Sequence, residues 1–177
     1  GFDGSERNYW LKKEYFTSLQ RLTLVPVSEW LGNLLSSSFF GQKDRIVIRN
    51  GIDTDIFNLN TSQAETRLRM GCQPTRHLIL GVASVWTKRK GFHDFIKLRN
   101  LLSEDEFEIM MIGLTKKQID ELPQGIKGIC RTNDIHEMAE IYSAADVFVN
   151  PTYEDTFPTT NLEALACGTP VVTYNTG

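Results

Sequence analysis

A chain of 177 residues, 41% hydrophobic and 23% charged, has the composition of a soluble globular protein with enough apolar surface to bury a core. Its net charge of −3 and pI of about 5.6 exclude the global basic field that accompanies nucleic-acid binding. No apolar run reaches the roughly 18 residues that a membrane-spanning helix needs, and "GFDGSERNYW" lacks the charged-then-apolar layout of a secretion signal.

Taken in chain order, residues 9–20 read as a helix and "LTLVPVS" (22–28) as a buried strand. Ser28 is placed to cap a helix, "EWLGNLLSSSFF", with Trp30, Leu31, Leu34 and Leu35 on its apolar side. "RIVIRN" (45–50) is β-branched and ends in the turn signal Asn50-Gly51. Residues 51–75 are polar, with a short helix in "TSQAETRLRM" closed by Gly71. From residue 76 strand and helix alternate. Strands are expected over 77–85, 107–113, 126–132, 147–152 and 170–175, and helices over 91–102, 116–122, 134–146 and 161–168. The strands are near-continuous apolar runs, the mark of a parallel sheet covered on both faces. Right-handed crossovers turn that pattern into a Rossmann-like, doubly wound α/β fold. Cys72, Cys130 and Cys167 are an odd number with no CxxC spacing, which points to reduced thiols in the cytoplasm. Both ends break off in mid-pattern, so an internal piece of a longer protein is expected.

Ligands of open α/β sheets sit outside the carboxyl ends of the strands, beside helix N-termini. That rule selects the loops 85–91, 113–116, 132–134 and 151–161. In "VWTKRKG", Lys88, Arg89 and Lys90 add cations to a strand-to-helix joint, and Gly91 lets the backbone turn. Unpaired helix N–H groups with such side chains make a phosphate site, against the plainer alternative of a solvated basic loop. The last loop carries Glu154 and Asp155, and Thr160-Asn161-Leu162-Glu163 fits a capping box. Glu163 has two readings: it closes on the backbone of Thr160, or it accepts the hydroxyls of a ribose. Two neighbouring anion sites suit a diphosphate. Neither G-x-G-x-x-G nor G-x-x-x-x-G-K-[ST] is present, which disfavours an NAD enzyme or a P-loop ATPase. Trp86 is placed to pack on a ligand or on the neighbouring helix.

"NGID" (50–53) with Phe57, "GVASVWTKRKGFHDFI", "YSAADVFVNPTYEDTFPTTNLEALACGTPVV" and "LTLVPVSEWL" together resemble glycosyltransferase family 4, retaining enzymes of the GT-B fold. The resemblance implies that residues 1–45 are a remnant of the N-terminal domain and 46–75 an inter-domain linker and entry strand. Residues 76–177 would be the nucleotide-sugar-binding domain. It implies sugar transfer from a nucleoside-diphosphate sugar, UDP- or GDP-linked, to a glycan or lipid-linked acceptor, with neither nucleic acid nor a metal taking part. Bacterial surface polysaccharide synthesis, in the cytoplasm or against the inner face of the membrane, is the expected setting. Lys90 with Arg89 would neutralise the diphosphate, Thr159 and Thr160 would touch it, and Glu163 would bind the ribose. Arg131 and Thr132 would lie near the base. Two departures stand out. Where the family reads E-x7-E, this chain has Asp155, with Glu154 one residue off, so either acid is a candidate to face the donor sugar. Where the family often has Arg, five residues before the phosphate lysine, this chain has Val85.

Charge growing on the departing diphosphate is stabilised by fixed cations and helix N–H groups. Lys90, Asp155 and Glu154 are the candidate catalytic residues. The segment alone is expected to bind donor and transfer little. Asp53-Thr54-Asp55 resembles a D-x-D metal motif, but after Asn50-Gly51 it reads better as turn chemistry. The competing classes are a nucleotide-sugar epimerase of the same architecture and a non-catalytic α/β nucleotide-binding module.

Overall fold

A computed structural model describes residues 3–59 and 62–176. The chain forms two compact units, one running to Asn50 and one over Gly51–Thr176.

The first unit holds α1 (Ser5–Ser18), β1 (Thr23–Leu24), α2 (Glu29–Ser36) and β2 (Asp44–Arg45), with β1 and β2 parallel. Both strands are far shorter than their apolar runs. The chains continue side by side, with Ile46 N–H donating to Leu24 O and Ile48 N–H to Pro26 O. Pro26 has no N–H to return, so the ladder stops there. Ser28 caps α2 by accepting from Leu31 N–H at 3.2 Å. Of the four apolar residues expected inside, Leu31 and Leu35 are half-buried, while Trp30 and Leu34 are exposed. The close approach is made instead by Gly32, where a Cβ would lie 3.5 Å from Pro26 and Val47.

The second unit begins with α3 (Gln63–Arg69) and β3 (His77–Val82). After them come α4 (Phe92–Leu101), β4 (Phe107–Ile112), α5 (Lys116–Asp120), β5 (Ile126–Ile129), α6 (Ile135–Ala144), β6 (Val147–Asn150), α7 (Thr159–Ala166) and β7 (Val171–Thr173). The five strands are all parallel, in the order β5-β4-β3-β6-β7. Residues 51–75 do not behave as a bare connection: Phe57 and Cys72 enter the core, and buried Arg67 of α3 bonds to Ala144 O and the Asp146 carboxylate.

Because side chains alternate along a strand, β3 and β4 feed two cores. Leu78, Leu80, Met110 and Ile112 face Tyr142 of α6 and Ala164 of α7. Ile79, Ile109 and Met111 face Phe92 and Phe95 of α4. The ring of Phe95 lies so close to β3 that a Cβ at Gly81 would be 2.3 Å from it. β3, β4 and β5 end short of the expected 85, 113 and 132. At Gly113 the backbone turns with φ +95°, and beyond it β4, the middle strand of the three, no longer offers its neighbours a ladder. Cys72 and Cys167 are buried and Cys130 is exposed; burial pushes both buried thiols above their ordinary values.

Asp134, expected as the first residue of its helix, is the N-cap of α6, accepting from His136 and Glu137 N–H at 2.8 and 2.9 Å. The Glu137 amide, foremost, holds the carboxyl below its usual value. A lowered folded value means that the cap stabilises above the ordinary carboxyl range and is lost as pH falls through the lowered value. Asp134→Ala is therefore expected to lower the melting temperature at neutral pH, with the gap closing on acidification. Thermal melts of both proteins across that pH range check it.

Candidate functional site

The sheet order reverses at β3: the chain moves outward to β4 and β5, then returns to place β6 on the other side. The first two connections, α4 and α5, cover one face, and α6 and α7 cover the other. Between the carboxyl ends of β3 and β6 the crossovers part, and a crevice opens, as at the switch point of other doubly wound sheets. A cleft of about 270 Å³ lies there. Its floor is Val82, Ala83, Ser84 and Asn150, and its walls include Lys90, Asp155, Phe157 and the 158–160 stretch that starts α7.

The loop carrying Lys90 is held from three directions. Trp86 is buried, packs edge-on against Phe95 with ring centres 5.2 Å apart, and donates its indole N–H to Ile112 O at 2.8 Å. Trp86 therefore packs on the neighbouring helix. Gln118 donates to Trp86 O. Gly91, at φ +77°, lies against the end of β6, where a Cβ would be 2.4 Å from Pro151 O. Tyr153 N–H then donates to Arg89 O at 2.9 Å, joining the basic loop to the acidic one. The amides of Lys90, Gly91 and Phe92 are taken by Thr87 and Lys88 carbonyls. This loop thus contributes the Lys90 side chain to the cleft. Lys88 and Arg89 are exposed, and neither lines it.

Lys90 Nζ sits 2.5 Å from Asp155 Oδ2, both side chains mostly buried. Burial pushes the Asp155 carboxyl up, but the Lys90 ammonium and the Phe157 and Thr156 amides outweigh it and hold the group below its usual value. Glu154 is exposed and outside the cleft lining; of the two candidate acids, the one in the cleft is Asp155.

The helix expected from residue 161 starts two residues earlier. Pro158 occupies the N-cap and no side chain caps it. Thr160 is consequently inside the helix, and the capping box with Glu163 does not form. The Thr159 and Thr160 amides have no acceptor among the described residues, so the positive end of α7 opens on the cleft where both residues line it. Glu163 is half-buried one turn further on, on the same side of the helix as Thr159 and Thr160, but it does not itself line the cleft. Its Oε2 accepts from Tyr142 O–H at 2.8 Å. Arg131, exposed, and Thr132, half-buried, follow the edge strand β5 and do not line the cleft.

Sequence reasoning missed Asn150, Phe157 and Tyr142. Asn150 is a buried polar residue closing an apolar strand, and its amide donates to Asn161 Oδ1 of α7 at 2.8 Å. A lone Asn at a strand's carboxyl end was the available signal. Asp53 accepts from Asp55 N–H at 2.9 Å within its own turn. Among the described residues no helix is long and apolar enough to cross a membrane.

The model of the family "Glycosyl transferases group 1" matches residues 76–177. Among curated proteins, sulfoquinovosyl transferase SQD2 of Arabidopsis thaliana is 25% identical over 88% of this chain and 31% of its own length. The capsular polysaccharide biosynthesis glycosyltransferase CapM of Staphylococcus aureus is 22% identical over 86% of this chain and 43% of its own. The chain spans less than half the length of these relatives. Among solved structures, sucrose-phosphate synthase from Thermosynechococcus elongatus superposes with TM-score 0.79 at 19% identity, covering all of this chain and 47% of that one. Anabaena Alr3699/HepE in complex with UDP and glucose gives 0.75 at 17% identity, over 99% of this chain and 50% of that one. These neighbours carry the GT-B fold, and the α/β unit with its parallel sheet is the same architecture. With the family model covering more than half of its length, the chain belongs to the group 1 glycosyl transferases.

Proposed function

We propose that this chain is the donor-binding part of a retaining glycosyltransferase that takes a sugar from a nucleoside-diphosphate sugar. The observation that carries the reading is one cleft, at the switch point of the sheet, walled by Lys90 and by the uncapped start of α7. A lysine and two free amides converging on one space suit a diphosphate. In this reading Lys90 and the amides of Thr159 and Thr160 hold the diphosphate and stabilise charge as it departs. Asp155 faces the donor sugar and Glu163 accepts the ribose hydroxyls. Arg89, exposed beside the cleft, adds long-range attraction, and Arg131 and Thr132 flank the base. The acceptor in this reading is a glycan or is lipid-linked, and the name of CapM supports surface polysaccharide as the product. The neighbour that holds UDP and glucose supports a nucleotide donor.

Calorimetric titration of the 177-residue chain with UDP, GDP and ADP, against flavin mononucleotide, tests this. At least one diphosphate is expected to bind, and to bind more weakly to Glu163→Ala. Flavin binding in preference to every diphosphate, or no binding of any, overturns the reading.

A further inference from the structure

With Glu163 as the ribose acceptor, a reading on which this inference rests, its carboxylate has a geometric task. A carboxylate on a helix has several rotamers open to it. To receive two vicinal hydroxyls it must be held in one of them before the ligand arrives. On α7 the holding group comes from elsewhere in the chain. Tyr142 lies on α6 with its whole side chain inaccessible to solvent. Its ring packs edge-on against Phe148 at 5.5 Å and Phe57 at 6.1 Å, and Thr169 O–H donates to its backbone carbonyl. Ring and backbone are therefore fixed by the core.

A phenylalanine would fill the same space. The hydroxyl alone is unexplained by packing, since a buried O–H without a partner is costly. Its partner is Glu163 Oε2 at 2.8 Å. Burial, and then the neighbouring carboxylate, push the phenol far above its ordinary value, so the group stays a donor at any working pH. The other carboxylate oxygen, Oε1, has no partner among the described residues. The side chain is thus clamped at one oxygen and open at the other.

We propose that Tyr142 is a positioning residue for the nucleotide's ribose: its buried hydroxyl orients the Glu163 carboxylate so that the second oxygen meets the ribose hydroxyls.

The test compares each of UDP, GDP and ADP with its 2′,3′-dideoxy counterpart on the 177-residue chain. The ratio of the two affinities isolates the ribose contact from the diphosphate and base. Glu163→Ala is expected to abolish the preference for the ribose form; an unchanged preference overturns the ribose reading itself. Tyr142→Phe, with Glu163 intact, is expected to cut the preference about 10-fold, the lower end of what a hydrogen bond to a charged group is worth, and to leave dideoxy affinity unchanged. Adding Tyr142→Phe to Glu163→Ala is expected to change nothing further. Glu163→Asp, which keeps the charge but withdraws it from Tyr142, is expected to act as Tyr142→Phe does, and it leaves the tyrosine in place. If Glu163→Ala removes the preference while Tyr142→Phe retains it in full, the positioning role is wrong and the ribose reading stands. A purely structural role for Tyr142 would weaken both nucleotides alike and leave the ratio unchanged, which also overturns the proposal.

Discussion

Replacing Lys90 by alanine is expected to weaken nucleoside-diphosphate binding by about 10- to 100-fold, the worth of a hydrogen bond to a charged group. In the complete enzyme the rate should fall further, by about 100- to 1000-fold, because the charge that Lys90 meets is larger in the transition state than in the bound donor. Part of the loss has a second origin. Lys90 is paired with Asp155, and without it the carboxylate stands uncompensated in the cleft wall and repels the diphosphate. The double variant Lys90→Ala/Asp155→Asn separates the two effects: it should recover the repulsive share and no more. Calorimetry gives the binding terms, and steady-state kinetics of the full-length protein gives the rate. Unaltered diphosphate affinity in Lys90→Ala would remove the lysine from the site.

Gly113→Ala should destabilise the second unit by at least about 3 kcal/mol, the upper end of what a single strained backbone position costs. Gly113 adopts φ +95°, and a Cβ there would fall 1.5 Å from Ala83 O. Neither the strain nor the clash can be relieved cheaply. Ala83 is tied by its N–H to Ile112 O, and Gly113 by its own to Ile129 O, so movement at either point breaks the ladders of β3, β4 and β5. Chemical denaturation compared with wild type gives the value. Because Ala83 also lines the cleft, a variant that folds at all should bind nucleotide less well. Stability equal to wild type would mean that the turn at the end of β4 is built differently.

Much of the second unit is legible in the sequence because its physics is local and repeated. β3 and β4 are buried on both faces, so each shows as an unbroken apolar run, and the helices between them show their own period. Lys90, Asp155, Thr159 and Thr160 lie in or beside loops that follow strand ends, where a general rule of open sheets directs attention. The first unit is less legible: Pro26 interrupts a run that propensity alone assigns to a strand. The start of α7 is displaced by two residues because a proline, which offers no capping side chain, stands there, while Thr160-x-x-Glu163 imitates a cap. Tyr142, Asn150 and Trp86 act through partners between eleven and twenty-six positions away. No spacing rule reaches that far, and each residue type is equally at home in a core.

The ion pair between Lys90 and Asp155 gives the cleft a built-in counter-ion. A small anion without a hydroxyl donor, such as sulfate, gains the lysine only by stranding the aspartate, and so has little to win by entering. A ligand that brings hydroxyl donors along with its negative charge can satisfy both released partners in the same exchange. On the proposed reading, the pocket would thereby screen its visitors by composition, favouring a sugar nucleotide over bare ions of the same charge.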